Sequence, residues 1–255
     1  MRDRAFVSEI AADTYRITTY HEPWRSTVNQ YLVLAEEPLL ISTGLRERFE
    51  DTWAGLAQLL DPTTLRYVVV PHYEADECGA LNELLLRAPN ATPLASMRTV
   101  VASLADTAVR SPRGVGDGEV VDIGTHGLRM LETPYVHAWD GIVVVDERTR
   151  VAFTADLFIQ PGRGEALARD DRSALSVELY KAFYGAPPDV YLHRALDRIE
   201  AAHPTVLAPG HGAALTGNLA PYQRAYRALA GEQRAARPVD PAAPASSSLR
   251  RSAGP

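Results

Sequence analysis

Cysteine is almost absent from this sequence of 255 residues, in which Cys78 is the only one. A single cysteine excludes an intramolecular disulfide framework and fits a reducing compartment. Long apolar runs are absent as well. No stretch approaches the roughly 18 residues that a membrane span requires, and the N-terminal segment lacks the charged-then-apolar pattern of a signal peptide. We therefore expect a cytoplasmic protein that does not enter the membrane.

Basic clusters are also missing. The 26 lysines and arginines are spread along a chain whose net charge is −6, which argues against nucleic acid as the main partner. The hydrophobic content of 46% is enough for a substantial core. Only the end of the sequence has almost nothing to bury, because it is rich in proline, alanine and serine. We expect a folded domain over residues 1–232 and a disordered tail over residues 233–255.

Short segments rich in valine, isoleucine and threonine alternate with helical patterns. The predicted strands are TYRIT, NQYLVLA, PLLIST, RYVVVP, LRMLETP, GIVVVDE, RVAFTAD and TVLA. The predicted helices are Phe49–Leu60, Gly79–Leu86, Met97–Ala108, Leu175–Tyr184, Val190–Ala202 and Pro221–Ala230. Strands that alternate with helices indicate an α/β architecture.

The stretch VVVPHYEADECGALNELL carries the strongest chemical signal. Pro71 ends the strand RYVVV, and the turn that follows contains His72, Glu74, Asp76 and Glu77. In open α/β sheets, sites are built from such turns at the carboxyl ends of strands. His72 and Glu74 are expected to point to the same side, because side chains alternate along an extended segment. Asp76 has a simpler alternative, which is to cap the helix that follows.

Three more polar side chains follow predicted strands: His137 in ETPYVHAWDG, Asp156 in VAFTADLF and His211 in TVLAPGHG. One isolated histidine is more often a satisfied polar residue than a ligand. Imidazoles and carboxylates that converge from several strand ends are what a metal site needs, because each ligand must be held by a different element. Together these residues predict a metal centre.

The remaining candidates have simpler interpretations. Cys78 follows the turn and is expected to pack as a small apolar side chain rather than act as a ligand. His126, His193 and His203 have no ligand partners in the sequence and are expected on the surface.

The spacing and flanks of these residues resemble the metallo-β-lactamase superfamily, and within it the iron-containing domain of flavodiiron proteins, whose first motif reads His-x-Glu-x-Asp-His-x-Gly. The resemblance extends to about Ala230. It includes STVNQYLVLAEEPLLISTG, LNELLLRAPNATPLASMRT, ETPYVHAWDG, TADLF, ELYKAFYG and PGHG. It implies a four-layer αββα sandwich with two metals at one edge of the inner sheets.

The resemblance also implies a division of the ligands. It places His72, Glu74 and His137 on the first metal and Asp76 and His211 on the second, with Asp156 as the bridge between them. Zinc hydrolases of this superfamily usually have histidine where Glu74 stands, and a carboxylate shifts the preference toward iron or manganese. We expect two metal ions, iron before zinc or manganese.

Two departures from the family pattern concern the site. Glu77 stands where the family has histidine; it either binds the second metal or faces solvent at the start of the helix. We expect Asp76 and Glu77 to be the carboxylates that take part in the chemistry. The family's His-Trp-Pro-Asp segment reads HAWD here, which keeps His137 but changes the pocket wall. In similar proteins the N-terminal loop of His21 approaches the metal pocket, and Tyr184 lies in an aromatic helix segment near it. We predict that both residues support the ligands, with core packing as the alternative for Tyr184.

The sequence predicts the function only as a class of reactions. Flavodiiron proteins carry a flavodoxin-like domain that binds FMN, whereas this sequence ends in the tail, so we expect no FMN site. The resemblance implies a diiron protein that binds or reduces O2 or NO, or uses O2 in an oxidation, with electrons from a separate protein. A homodimer is implied in the same way.

Two other functions are compatible with the same ligands. A two-metal hydrolase would attack an ester, thioester, lactone or phosphate with a metal-activated water, and Glu74 is the main feature against it. A catalytically silent binding module would require Glu77 to have disabled the second metal position.

Overall fold

The computed structural model describes residues 5–185 and 189–236. Its strands are β1 (Phe6–Ala11), β2 (Thr14–His21), β3 (Ser26–Val33), β4 (Leu39–Ile41), β5 (Tyr67–Val69), β6 (Thr92–Ser96), β7 (Arg113–Val115), β8 (Val120–Asp122), β9 (Gly127–Glu132), β10 (Ile142–Asp146), β11 (Val151–Ala155), β12 (Leu167–Ala168), β13 (Val206–Pro209) and β14 (Ala214–Thr216).

The helices connect these strands. They are α1 (Phe49–Leu56), α2 (Ala75–Cys78), α3 (Leu81–Arg87), α4 (Met97–Thr99), α5 (Ala105–Thr107), α6 (Ser173–Tyr184), α7 (Asp189–Ala201) and α8 (Ala220–Ala236). A π-helical turn, Val100–Leu104, joins α4 to α5, and short 3-10 turns occupy Arg46–Arg48 and Pro62–Thr64.

The strands form two seven-stranded mixed sheets. The first has the order β1-β2-β3-β4-β5-β6-β7, antiparallel as far as β4 and parallel beyond it. The second has the order β12-β14-β13-β11-β10-β9-β8. Backbone bonds join the sheets where the site lies. The N–H of Ile142 donates to the carbonyl of Pro71, with N and O 2.9 Å apart, and the N–H of Asn29 donates to the carbonyl of Gly210, with N and O 2.8 Å apart.

The central strands of both sheets are buried on both faces, which explains why several of them, such as β10, read as continuous apolar runs. In β10, Ile142 and Val144 point into the core between the sheets, whereas Val143 and Val145 pack toward α6, α7 and α8. This division follows from the period of two along a strand. A third apolar cluster lies between the first sheet and the helices α1 and α3. The layers are therefore helix, sheet, sheet and helix, and the predicted αββα sandwich is confirmed.

The predicted helices differ from the observed ones mainly at their ends. The first ends at Leu56 instead of Leu60, and the last runs to Ala236 instead of Ala230. Residues 233–236 of the predicted tail thus belong to α8, and the rest of that tail lies outside the described residues. Within the described ranges, no helix is long and apolar enough to cross a membrane.

Candidate metal centre

The predicted site residues meet at the edge of the sandwich where β5, β9, β11 and β13 end. His72 follows β5 at a short distance, and α2 begins just after Glu74. His137 lies in the loop after β9, Asp156 follows β11, and His211 follows β13. Residues far apart in the sequence converge because these strands end at one edge.

The first group consists of His72, Glu74, His137 and Asp156. His72 Nε2 lies 3.6 Å from Glu74 Oε2 and 3.4 Å from Asp156 Oδ2. His137 Nε2 lies 3.1 Å from Glu74 Oε1 and 3.3 Å from Asp156 Oδ2. Two ligands that each lie about 2.1 Å from one ion are about 3.0–3.4 Å apart at ordinary coordination angles. The observed separations are close to that range.

The second group consists of Asp76, Asp156 and His211. His211 Nε2 lies 3.0 Å from Asp76 Oδ2 and 3.5 Å from Asp156 Oδ1. Asp156 therefore belongs to both groups, with Oδ2 facing the first and Oδ1 facing the second. A carboxylate in this position can bridge two ions.

Several of these buried atoms have no hydrogen-bond partner among the described residues. They are Nε2 of His72, Nε2 of His137, and Oδ1 and Oδ2 of Asp156. A buried polar atom without a partner is costly, and native proteins rarely leave one unsatisfied. Because the unpaired atoms face one another across ligand-to-ligand distances, the residues fit a pair of metal ions.

The backbone at this edge adopts unusual conformations. His137 has a φ of 65° and Ala155, directly before Asp156, has a φ of 46°. Residues other than glycine rarely adopt this left-handed backbone conformation, and each one that does costs about 1–3 kcal/mol. Such strain is typical of functional sites, where the surrounding structure holds a side chain in a required direction.

Residues of strand β3 fix the loop that carries His211. The Thr27 carbonyl lies 2.6 Å from His211 Nδ1, so this ring nitrogen donates and Nε2 is left toward the second group. Asn29 donates through Nδ2 to the carbonyls of Pro209 and Gly212, 2.9 Å from each. A histidine ligand is commonly oriented by a carbonyl on its other nitrogen.

Asp140 has a comparable role for the His72 loop. It is buried, and Oδ2 accepts hydrogen bonds from the Tyr73 N–H at 3.2 Å and the Thr99 hydroxyl at 2.8 Å. Sequence reasoning missed Thr27, Asn29 and Asp140 as supporting residues. For Asp140 the signal was its place in the HAWD segment; the two β3 residues carry no chemical pattern of their own.

The structure decides two alternatives that the sequence left open. The capping alternative for Asp76 does not apply, because no side chain among the described residues caps α2 and Asp76 Oδ2 lies against His211. The solvent-facing alternative for Glu77 is also wrong, because this residue is only 2% exposed. Its Oε2 accepts a hydrogen bond from the Ser42 hydroxyl.

Glu77 lies beside the second group without belonging to it. A Cβ at Gly210 would be 3.2 Å from Glu77 Oε1 and 3.4 Å from Asp156 Oδ1. The glycine of the PGHG segment thus allows the backbone to approach both carboxylates. Burial, with the charges of Asp76 and Asp156, raises the pKa of Glu77 to about 8.

The other ionisable groups of the site shift one another. Burial would lower the pKa of His72, but Asp156 and Glu74 raise it well above its usual value. Burial also opposes the rise for His211, whose pKa is raised to about 9 by Asp76 and Asp156. His137 and His72 lower the pKa of Glu74 to about 2. The carboxylates thus strongly favour positive charge at this edge, and a divalent ion that binds here replaces the imidazole protons.

The predicted neighbours of the ligands lie at different distances. The ring of Tyr184 lies on that of His137, with centroids 3.8 Å apart. Burial, followed by the charge of Asp156, raises the pKa of Tyr184. The ring of His21 contacts that of Trp24, with centroids 4.4 Å apart, and the ring of Trp24 lies 6.1 Å from that of His211. Trp24 thus links His21 to the ligand.

The outcomes for the remaining candidates differ. His126 is not on the surface, since it is 1% exposed and hydrogen-bonded on both ring nitrogens. His203 is exposed and His193 is half-buried. Cys78 is half-buried and its Sγ lies 3.2 Å from the Glu74 carbonyl, to which the thiol donates. Burial, with Glu77 and Asp76 nearby, raises the pKa of this thiol to about 12.

The chain matches a known family. The family model described as ODP family beta lactamase matches residues 26–212, which include all the residues of both groups. The chain belongs to the ODP family beta lactamases. This ODP domain is similar to flavodiiron proteins, so the predicted resemblance is confirmed.

Two relatives illustrate the similarity. The type A flavoprotein fprA of Rhodobacter capsulatus is 31% identical over 218 residues, covering 83% of this chain and 50% of the relative. The flavo-diiron protein FprA2 of Clostridium acetobutylicum is 26% identical over 223 residues, covering 81% and 54%. The chain therefore spans about half of the length of these curated relatives.

Solved structures agree with the fold. The metal-soaked Flv1 flavodiiron core from Synechocystis matches with a TM-score of 0.80 and 25% identity, over 92% of this chain and 63% of that chain. The rubredoxin oxygen:oxidoreductase of Desulfovibrio gigas matches with a TM-score of 0.79 and 21% identity, over 90% and 62%. The second likeness is one of fold alone.

Proposed function

We propose that this chain holds two iron ions and binds or reduces O2 or NO, with electrons delivered by a separate protein. The observation that carries the proposal is the position of Asp156. Each of its two buried oxygens faces a different group of ligands, and neither oxygen has a hydrogen-bond partner among the described residues.

The ligand chemistry supports iron over zinc. The first group contains two imidazoles and the carboxylate of Glu74, which is the ligand set typical of non-haem iron(II) sites that react with oxygen. The second group has a single imidazole, His211, with the carboxylates of Asp76 and Asp156. Oxygen-rich ligand sets of this kind suit harder ions than the thiolate and imidazole sets of many zinc sites.

The protein residues have the tasks of holding, orienting and shielding. Paired irons supply electrons and open positions for a diatomic ligand. His72 and Asp156 are buried, so they exclude water from the inner side of the site. Glu74 lies at the open side, where its side chain is 42% exposed. Electrons and small ligands are expected to reach the site from that side.

The separate donor is proposed from the relatives. The name of the Desulfovibrio gigas protein states that it acts between rubredoxin and oxygen. Because this chain shares its fold with that protein over 90% of its length, we propose a small redox protein as the donor for this site.

Elemental analysis of the full chain, purified without added metal, tests the proposal. We expect about two irons per chain and, after anaerobic reduction and exposure to O2, a new absorption band in the near-ultraviolet or visible range. Glu178→Gln, which changes an exposed carboxylate on α6 away from the site, is the matched control and keeps both irons. Two zincs per chain, or irons indifferent to both O2 and NO, would contradict the proposal and favour a hydrolase.

A further inference from the structure

A cavity of about 270 Å³ opens beside the second ligand group. Its inner end is formed by Glu74, Asp76 and His211, together with Ser26. Its walls are apolar side chains: Trp24, Ile159, Pro161, Leu179, Phe183 and Tyr184. The cavity thus has one polar end, at the candidate metal centre, and an apolar remainder.

The cavity is much larger than a diatomic ligand needs. A water molecule occupies about 30 Å³ of liquid, so a ligand the size of O2 would fill only a small part of this volume. Sites for small organic molecules begin at about 300 Å³ and are mostly apolar with a few polar groups at fixed positions. The lining matches such a site, and the volume of about 270 Å³ lies just below that range.

Helix α6 shows that the apolar wall is a feature of the sequence. Ser176 and Tyr180, four residues apart, are buried on the core side of the helix. Leu179 and Phe183, also four residues apart, line the cavity instead. Phe183 is 65% exposed, although a helix face that contacts only water is normally polar. The helix therefore presents a second apolar face to the cavity.

The opposite wall has the same character. Trp24, in the loop after β2, is 43% exposed and lies edge-on to the His211 ring, with ring centroids 6.1 Å apart. Ile159 and Pro161 lie in the loop after β11. Three separate segments of the chain thus direct apolar groups into one space, which scattered surface hydrophobic residues do not do.

We propose that this cavity binds a small organic carboxylate whose apolar body, about one aromatic ring in size, lies between Trp24 and Phe183 while its carboxylate meets the metal centre. The inference rests on the proposed function, since the two ions supply the partner for the carboxylate. This organic ligand fills the part of the cavity that a diatomic ligand would leave empty.

Calorimetric titration of the iron(II)-loaded full chain under argon tests the inference. Phenylacetate and acetate share one head group and differ in the apolar body. We expect phenylacetate to bind at least about tenfold more tightly, because its ring leaves water for an apolar wall. Phe183→Ala and Leu179→Ala are expected to remove most of that difference. Leu175→Ala, which changes an exposed residue of the same helix outside the cavity lining, leaves it intact.

Equal affinities for the two acids, or a preference that all three variants keep, would overturn the inference. A cavity that instead receives a protein partner gives the first of these results. Failure of the proposed function is recognised separately, from the metal content. If the purified chain holds zinc, the same titration on the zinc-loaded protein still decides whether the cavity takes the organic body. If the chain holds no metal, phenylacetate and acetate are expected to bind alike and the inference falls.

Discussion

The two ends of the β9–β10 hairpin contain histidines of opposite character, one with a fully buried side chain and one with a side chain that is 12% exposed. At one end, His126 accepts a hydrogen bond from Arg148 on Nε2 and donates from Nδ1 to Asp146, with 2.8 Å between the atoms in both cases. At the other end, His137 Nε2 has no hydrogen-bond partner within the described part of the chain. Burial alone therefore does not identify a ligand.

The difference lies in what surrounds each carboxylate. Asp146 receives hydrogen bonds from the Arg148 N–H at 3.0 Å and from the Thr149 hydroxyl, besides its contact with His126. Asp156, equally buried, receives no hydrogen bond from the described residues. Satisfied polar groups stabilise the fold, whereas groups that only a bound ion can satisfy are available for function.

Asp156→Asn tests the difference with the largest effect. An amide cannot bridge two cations as a carboxylate does, so we expect the metal content to fall from about two ions per chain to less than one. The fold should persist, because neither carboxylate oxygen of Asp156 has a hydrogen-bond partner within the described ranges. Elemental analysis and circular dichroism measure the two effects. Two ions retained by this variant would refute the bridging role.

His126→Ala is expected to have the opposite effect. It removes a fully buried ring and leaves Asp146 without one of its partners, which costs about 1–3 kcal/mol of unfolding free energy. The metal content should stay at about two ions per chain. Urea unfolding, followed by elemental analysis of the folded variant, separates the two readouts. A variant as stable as the parent would show that the His126 hydrogen bonds contribute nothing.

This contrast also shows where sequence reasoning is strong and where it fails. The approach of His137, Asp156 and His211 was predictable, because each follows a recognisable apolar strand and the three strands belong to one sheet and end at a shared edge. His72 follows β5 of the other sheet, and its place beside them came from the family resemblance. The burial of His126 was not, since its partners Asp146 and Arg148 are twenty and more residues away. No local pattern distinguishes a satisfied histidine from a ligand.

The fold was predictable to a similar extent. Strands such as β3 and β10 were identified from composition, because valine, isoleucine, leucine and tyrosine make up much of each, and both strands are buried on both faces. Strand β6 was missed, because TPLAS contains proline and alanine, which strands disfavour. The strands β7, β8, β12 and β14 have two or three residues each and are too short for a pattern to show. Their pairing is set by the tertiary structure.

Glu77→Gln sharpens the contrast within the centre itself. Asp156 serves both groups, whereas Glu77 lies beside the second group only. We expect the first ion to be retained and the second to bind about tenfold more weakly, as is usual for residues that support metal ligands. Stepwise iron(II) titration under argon measures the two affinities. Ser42→Ala removes the hydroxyl that donates to Glu77 and should give a smaller loss in the same direction. Equal weakening of both ions would place Glu77 in a different role.

Tyr184→Phe is expected to have the smallest effect, and it separates the contribution of the tyrosine hydroxyl from that of its ring. The ring lies on His137, and its hydroxyl is close enough to Asp156 for that charge to raise the pKa of the phenol. Phenylalanine keeps the ring, so both irons should remain and the affinity of the first position should change by less than about tenfold. Tyr184→Ala removes the ring as well and should loosen His137, which weakens the first ion further. If the two variants behave alike, the phenol rather than the ring supports the ligand, and the tyrosine acts on Asp156 instead of on His137.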